Sequence, residues 1–189
     1  MRKLLVLAAV TLALATGLTP VTSANAASTP YCGIRWGSLA KQEVDHTTAP
    51  VTNLRAGRHR CFDRLVVDLD AKALGFSGQA EGYNVRYVPQ VTEDGSGRPH
   101  GLAGRAFLSV VVNASAHDFT GRPTYAPADS EHAVNVIGFR TFRQVAFLGT
   151  FEGYTTIGVG VRARLPFRVF ALPGPGSGSR VVIDVAHRW

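Results

Sequence analysis

The chain has 189 residues, with 20 Lys+Arg against 13 Asp+Glu and a formal net charge of +7. That sign favours anionic polymers and surfaces by Coulomb attraction, yet no basic run is as dense as a nucleic-acid recognition patch, so nucleic acid is not an expected partner. Only two cysteines are present and no His/Cys spacing sets up a four-ligand metal centre, so neither a metal nor another cofactor is expected.

Arg2 and Lys3 precede an almost unbroken apolar run from Leu4 to Leu18, and Ala24-Asn25-Ala26 supplies the small-x-small pattern of a signal-peptidase site. The run is about fifteen residues long, short of the roughly 20 that span a bilayer core. Residues 1–26 are therefore expected to be a removable export leader, with no stable membrane insertion once it is cut. The expected location is secreted, extracytoplasmic or associated with the cell wall. Loss of Arg2 and Lys3 leaves 18 cationic against 13 anionic residues, a net +5, on a chain the size of one domain.

Residues 27–55 read as an N-terminal arm, opening on Tyr31-Cys32-Gly33-Ile34-Arg35-Trp36 and turning polar through Asp45-His46. Cys32 and Cys61 are an even pair in an oxidising compartment, the pattern of a single disulfide, provided their Cβ atoms meet in the fold. Such a bond would staple the arm to the body, and closing a loop of about 30 residues contributes roughly 3.5 kcal/mol on the chain-entropy model. Ala56 to Arg60 reads as a turn-like lead into the first strand.

From there the chain alternates with a period of two. Leu65, Val67 and Leu69 fall on one face, with Arg64 and Asp68 on the other, as in a half-buried strand. Tyr83–Val88 repeats the pattern, and Glu93-Asp94-Gly95-Ser96-Gly97 supplies turn chemistry. Further strands are expected over 106–114, 134–139, 145–148, 157–164, 167–172 and 180–185. Gly158 and Gly160 mark close backbone packing or a bulge. Pro173-Gly174-Pro175-Gly176-Ser177-Gly178 reads as a hairpin-type connection. Only Ala71 to Gly75 offers even one helical turn. Eight or so short strands punctuated by Gly and Pro predict an all-β fold, an antiparallel β-sandwich or open barrel.

Chemistry is harder to find. There is no Gly-x-Ser-x-Gly elbow and no His-Glu-x-x-His helix. Glu131-His132 and His117-Asp118 are local pairs without a supporting motif, and Glu43-Val44-Asp45-His46 alone falls short of a zinc site. No catalytic residue is assigned and the chain is not expected to be an enzyme. Binding candidates are Arg64 and Arg180, on the faces opposite the aliphatic rows and within reach of Asp68 and Asp184 across paired strands. To these are added the aromatics Trp36, Trp189 and Tyr154, whose ring faces suit sugars or cover open ends of the sandwich. Glu152 sits in a turn, with a structural role or a ligand amine as alternatives.

Two six-residue stretches echo each other: Arg64-Leu65-Val66-Val67-Asp68-Leu69 and Arg180-Val181-Val182-Ile183-Asp184-Val185. With Gly57–Arg64, Tyr83–Pro89, Phe151-Glu152-Gly153, Pro166-Phe167-Arg168-Val169 and Val182–Trp189, they make residues 56–189 resemble the AMIN domain. The likeness is closer to the AMIN-like domain of secreted and lipid-anchored bacterial envelope proteins. The resemblance implies a non-catalytic β-sandwich module of the envelope, with peptidoglycan the usual proposed ligand. The chain departs from that pattern in its length, its expected disulfide and the lack of a fused enzyme.

The expected function is thus an exported, non-catalytic protein binding cell-wall glycan or an envelope protein. The alternatives are a secreted interaction or inhibitor protein, and a hydrolase whose site assembles only in the fold. A compact cleft holding Asp or Glu with His would favour the enzyme. A shallow aromatic and Arg-lined face would favour glycan, and an exposed apolar patch a protein partner.

Overall fold

The computed structural model describes residues 30–47, 49–70, 81–174 and 178–189. The expected leader, the Ala71–Gly75 turn and the middle of the Pro173–Gly178 connection lie outside these described residues. Eleven strands follow in chain order: β1 (Lys41–Glu43), β2 (Val51–Arg58), β3 (Phe62–Asp70), β4 (Tyr83–Val88), β5 (Val91–Thr92), β6 (Pro99–His100), β7 (Ala106–Val112), β8 (Phe142–Phe151), β9 (Tyr154–Val161), β10 (Phe167–Pro173) and β11 (Gly178–Ala186). They form a five-stranded sheet in the order β1-β4-β7-β9-β8 and a four-stranded sheet in the order β10-β11-β3-β2, with β5 and β6 as a short hairpin. Every strand pairing is antiparallel. Neither sheet closes on itself, so the fold is a β-sandwich and not a barrel.

The alternation read from the sequence decides which side chains meet between the sheets. Leu65, Val67 and Leu69 of β3 and Val181, Ile183 and Val185 of β11 join Leu108, Val110, Ile157 and Val159 from the opposite sheet in one buried cluster. Each such side chain contributes roughly 1.5–3 kcal/mol by leaving water. Val66 and Val182 are also buried, at 6% and 1% exposure, but stand outside this cluster because they point to the other face.

Two expectations are corrected. Val134–Phe139 is not a strand: the Asn135 side chain accepts a hydrogen bond from the Ile137 amide, Gly138 has φ +78°, and Ile137 is 86% exposed. Turn chemistry there overrides the β-branched composition. Conversely, residues 51–58, divided in the sequence reading between arm and turn, form the edge strand β2. A register shift between Val51 and Asn53 interrupts the period of two and hides the strand from a pattern search.

The glycines of β9 do mark close packing. A Cβ on Gly160 would lie 1.9 Å from the Ala103 carbonyl oxygen, and one on Gly158 would lie 2.9 Å from Leu102 Cδ1. The segment after β6 therefore lies directly on the outer side of the five-stranded sheet. The disulfide forms between Cys32 and Cys61, with Cα atoms 6.1 Å apart.

Candidate functional site

The outer face of the four-stranded sheet is built by register. Antiparallel pairing of β3 with β11 sets Arg64 opposite Asp184 and Asp68 opposite Arg180, while β10 sets Arg168 opposite Asp184 from the other side. One row therefore reads Arg168, Asp184, Arg64 across three strands. Arg64 grips Asp184 bidentately, Nε to Oδ1 at 2.6 Å and Nη2 to Oδ2 at 2.9 Å, and Arg168 Nε donates to Oδ2 at 2.8 Å. The carboxylate is fully buried, whereas the Arg64 and Arg168 side chains are 24% and 41% exposed. Hydrogen bonding to Asp184 raises the Arg64 pKa, so its charge is fixed at any working pH. Two guanidiniums on one carboxylate leave a local surplus of one positive charge.

Aromatic rings flank these guanidiniums. Arg168 lies 4.5 Å from the Trp36 ring centre and 4.9 Å from Phe170, and Arg64 lies 5.3 Å from Phe62. Trp36 meets Phe62 edge-on at 5.6 Å, and His59 stacks on the same Phe62 at 4.5 Å. Trp36 comes from the N-terminal arm, which is anchored by the disulfide on one side. On the other, the Phe167 amide donates to the Gly37 carbonyl and Arg164 to the Ser38 carbonyl. The result is a shallow strip of arginine and aromatic groups. Stacking and ion pairing hold its side chains in place.

The family model for the AMIN-like domain matches residues 49–187. The chain belongs to the AMIN-like domain family. No curated protein and no solved structure matches it. Membership makes this a domain of an envelope-associated, typically extracytoplasmic family of non-catalytic, binding type. The match begins seven residues earlier than the motifs indicated and so takes in all of β2.

Within this AMIN-like domain the sequence-selected residues do not all converge. Arg64 and Trp36 share the strip. Arg180 is on the same face two rows away, beyond the Val182–Val66 row, but Asp68 is held by Arg55, at 2.7 and 2.8 Å, and not by Arg180. Arg180 instead donates to the Pro173 carbonyl, and its buried Nε has no hydrogen-bond partner among the described residues. Trp189 is elsewhere, 65% exposed, with its indole donating to the Arg164 carbonyl. Tyr154 belongs to the other sheet, where its hydroxyl meets His46 Nε2 at 2.9 Å at the rim of a cleft of about 510 Å³. Glu152 and Gly153, with φ +48° and +84°, form the two-residue turn joining β8 to β9. Positive φ at both positions is the type I′ signature, which gives Glu152 a turn role.

Asp184 is the cross-strand partner expected from the sequence, whereas nothing in the sequence singles out Arg168 beyond its place in the Pro166–Val169 stretch. A second missed group is buried. Asp63 accepts hydrogen bonds from the Thr141 and Phe142 amides, while its Oδ1 lies 3.0 Å from His187 Nε2. This carboxylate joins the start of β3 to the start of β8 and so ties the two sheets together. The remaining His–carboxylate pairs, His100–Glu131 and His132–Asp129, are surface contacts. Among the described residues no group of three or more His, Cys, Asp or Glu could hold a metal ion. No helix among them is long and apolar enough to cross a membrane.

Proposed function

We propose that this AMIN-like domain is an exported, non-catalytic binding protein of the cell envelope that recognises peptidoglycan or another wall polymer through the outer face of its four-stranded sheet. The observation that carries the reading is Arg168. Its Nε is committed to Asp184 and its guanidinium carbon lies over the Trp36 and Phe170 rings, while its terminal nitrogens have no protein acceptor among the described residues. A pre-ordered guanidinium loses little entropy on binding and suits the carboxylates and amide carbonyls of a wall glycopeptide. The rings beside it suit the apolar faces of sugars.

The shallow Arg/aromatic strip favours glycan over catalysis. The cleft at Tyr154 is lined by Glu43 and Asp94 as well as His46, but His46 there meets the Tyr154 hydroxyl and not a carboxylate, while Asp94 accepts a hydrogen bond from the Thr156 hydroxyl, so no carboxylate orients the imidazole as a general base requires. Trp189→Phe leaves Trp36 as the sole tryptophan. Titrating that variant with soluble peptidoglycan fragments is expected to shift Trp36 emission saturably, and Arg168→Ala to abolish the shift. Emission that stays constant while the fragments bind would contradict the assignment to this face.

A further inference from the structure

We infer a second, independent site: a phosphate-binding cleft built by Arg105, Arg143 and Arg162 at one end of the five-stranded sheet. These three arginines and Gly104 line a cleft of about 480 Å³, and no acidic residue among the described residues lines it. They come from three adjacent strand ends. Ala106 of β7 and Phe142 of β8 both pair with Val161 of β9, so Arg105, Arg143 and Arg162 immediately flank that shared position.

The placement of Arg143 depends on an irregularity. β8 pairs Phe142 with Val161 and Gln144 with Gly160, so Arg143 is the extra residue of a bulge. A bulge is the usual device for re-aiming one side chain without disturbing the strand. Gly104, with φ +136°, lets its segment pass so close that a Cβ would fall 2.7 Å from the Val161 carbonyl oxygen.

Their partners point the same way. Arg143 donates to the Phe139, Arg140 and Phe142 carbonyls, and Arg162 to the His187 carbonyl. Backbone carbonyls orient a guanidinium without neutralising it. Arg105 makes no side-chain hydrogen bond or ion pair among the described residues, and none of the three is paired with a carboxylate. Five other arginines are matched with acids, Arg55 with Asp68, Arg64 and Arg168 with Asp184, Arg98 with Glu93 and Arg122 with Asp118, whereas these three share one hollow without an acid among them. Three unmatched cations around one hollow repel each other until an anion enters. Three guanidiniums lining one hollow suit a tetrahedral oxyanion with several peripheral oxygens better than a two-oxygen carboxylate. The ligand is therefore a phosphate group, as a free ion, a lipid headgroup or a link in a phosphate-containing polymer. This site lies on the other sheet from the proposed glycan strip and does not depend on it.

The test is amide and Arg Nε–H NMR of the full chain titrated with inorganic phosphate at constant ionic strength, with chloride as the replaced anion. Saturable shifts centred on Gly104, Arg105, Arg143 and Arg162 are expected. Arg105→Gln, at an exposed residue whose side chain makes no hydrogen bond or ion pair among the described residues, is expected to weaken binding at least about tenfold while the fold stays intact. Arg122→Gln removes one charge near the far end of β8 and is expected to leave the affinity unchanged. Equal losses in both variants, or shifts spread over all exposed arginines, would overturn the site as mere charge screening. Parallel retention on a poly(glycerol phosphate) resin and on anionic vesicles identifies the source. A loss for Arg105→Gln on only one of them names that carrier, and a loss on neither names the free ion.

Discussion

Arg64 and Asp184 stand 120 positions apart in the chain yet form a bidentate pair whose carboxylate is fully buried. The pair closes the β3–β11 contact on the outer face, and Arg168 completes it from β10. Removing one partner of a buried pair is costly because the other charge is left uncompensated. Asp184→Asn is therefore expected to lower stability by about 2–4 kcal/mol in urea unfolding, reduced from the fully buried case because both arginines are partly hydrated. Arg168→Ala, at the more exposed end, is expected to cost less while losing more of the wall binding.

The disulfide couples stability to the site. Loss of the Cys32–Cys61 bond releases a loop spanning a sequence separation of 29 residues. Cys32→Ala with Cys61→Ala is expected to cost about 3.5 kcal/mol on the chain-entropy model. The sheets stay folded, but Trp36 is no longer held against Phe62 and Arg168. Circular dichroism and Trp36 emission on reduction separate the two effects: β signal retained, emission red-shifted.

Gly158 and Gly160 give a paired test of the outer covering. Gly160→Ala pushes a methyl into the Ala103 backbone and is expected to destabilise by about 1–3 kcal/mol, since backbone must move. Gly158→Ala meets only the ends of the Leu102 and Leu148 side chains, of which Leu102 at 2.9 Å must rotate away, so it is expected to cost less than half as much. Thermal unfolding of the two variants checks the order.

Asp118 organises the turn before Arg122. Its carboxylate accepts hydrogen bonds from the Thr120 hydroxyl and from the Thr120 and Arg122 amides, and these bonds, with the Arg122 charge, lower its pKa to about 2. A folded pKa below the unfolded value stabilises the fold above the unfolded pKa, and the contribution is lost as pH falls through about 2. Carboxyl NMR is expected to show Asp118 titrating near 2, and Asp118→Asn to flatten the acid limb of the stability curve.

Much of this was legible in the residues. The Arg64–Leu69 and Arg180–Val185 echo reads as two strands with aliphatic faces inward, and antiparallel pairing of the two copies places each Arg opposite the other copy's Asp. The pattern could not say that Arg55 would take Asp68, because Arg55 lies on β2, whose bulge masks its period. Nor could it show Arg168 or the Arg105–Arg143–Arg162 cleft. Those groupings arise from strand order and from a bulge, which a linear sequence does not display. Ile137 and its neighbours misled for the opposite reason: β-branched composition suggested a strand where Asn135 and Gly138 make a turn.

The most direct test of the central claim is sedimentation of the oxidised protein with purified peptidoglycan across a salt series. Wild-type protein is expected to pellet with little loss at physiological salt, and Trp36→Ala and Arg168→Ala to remain in the supernatant. Binding that vanishes as salt screens the net positive charge, or that both variants retain, would contradict recognition by this face.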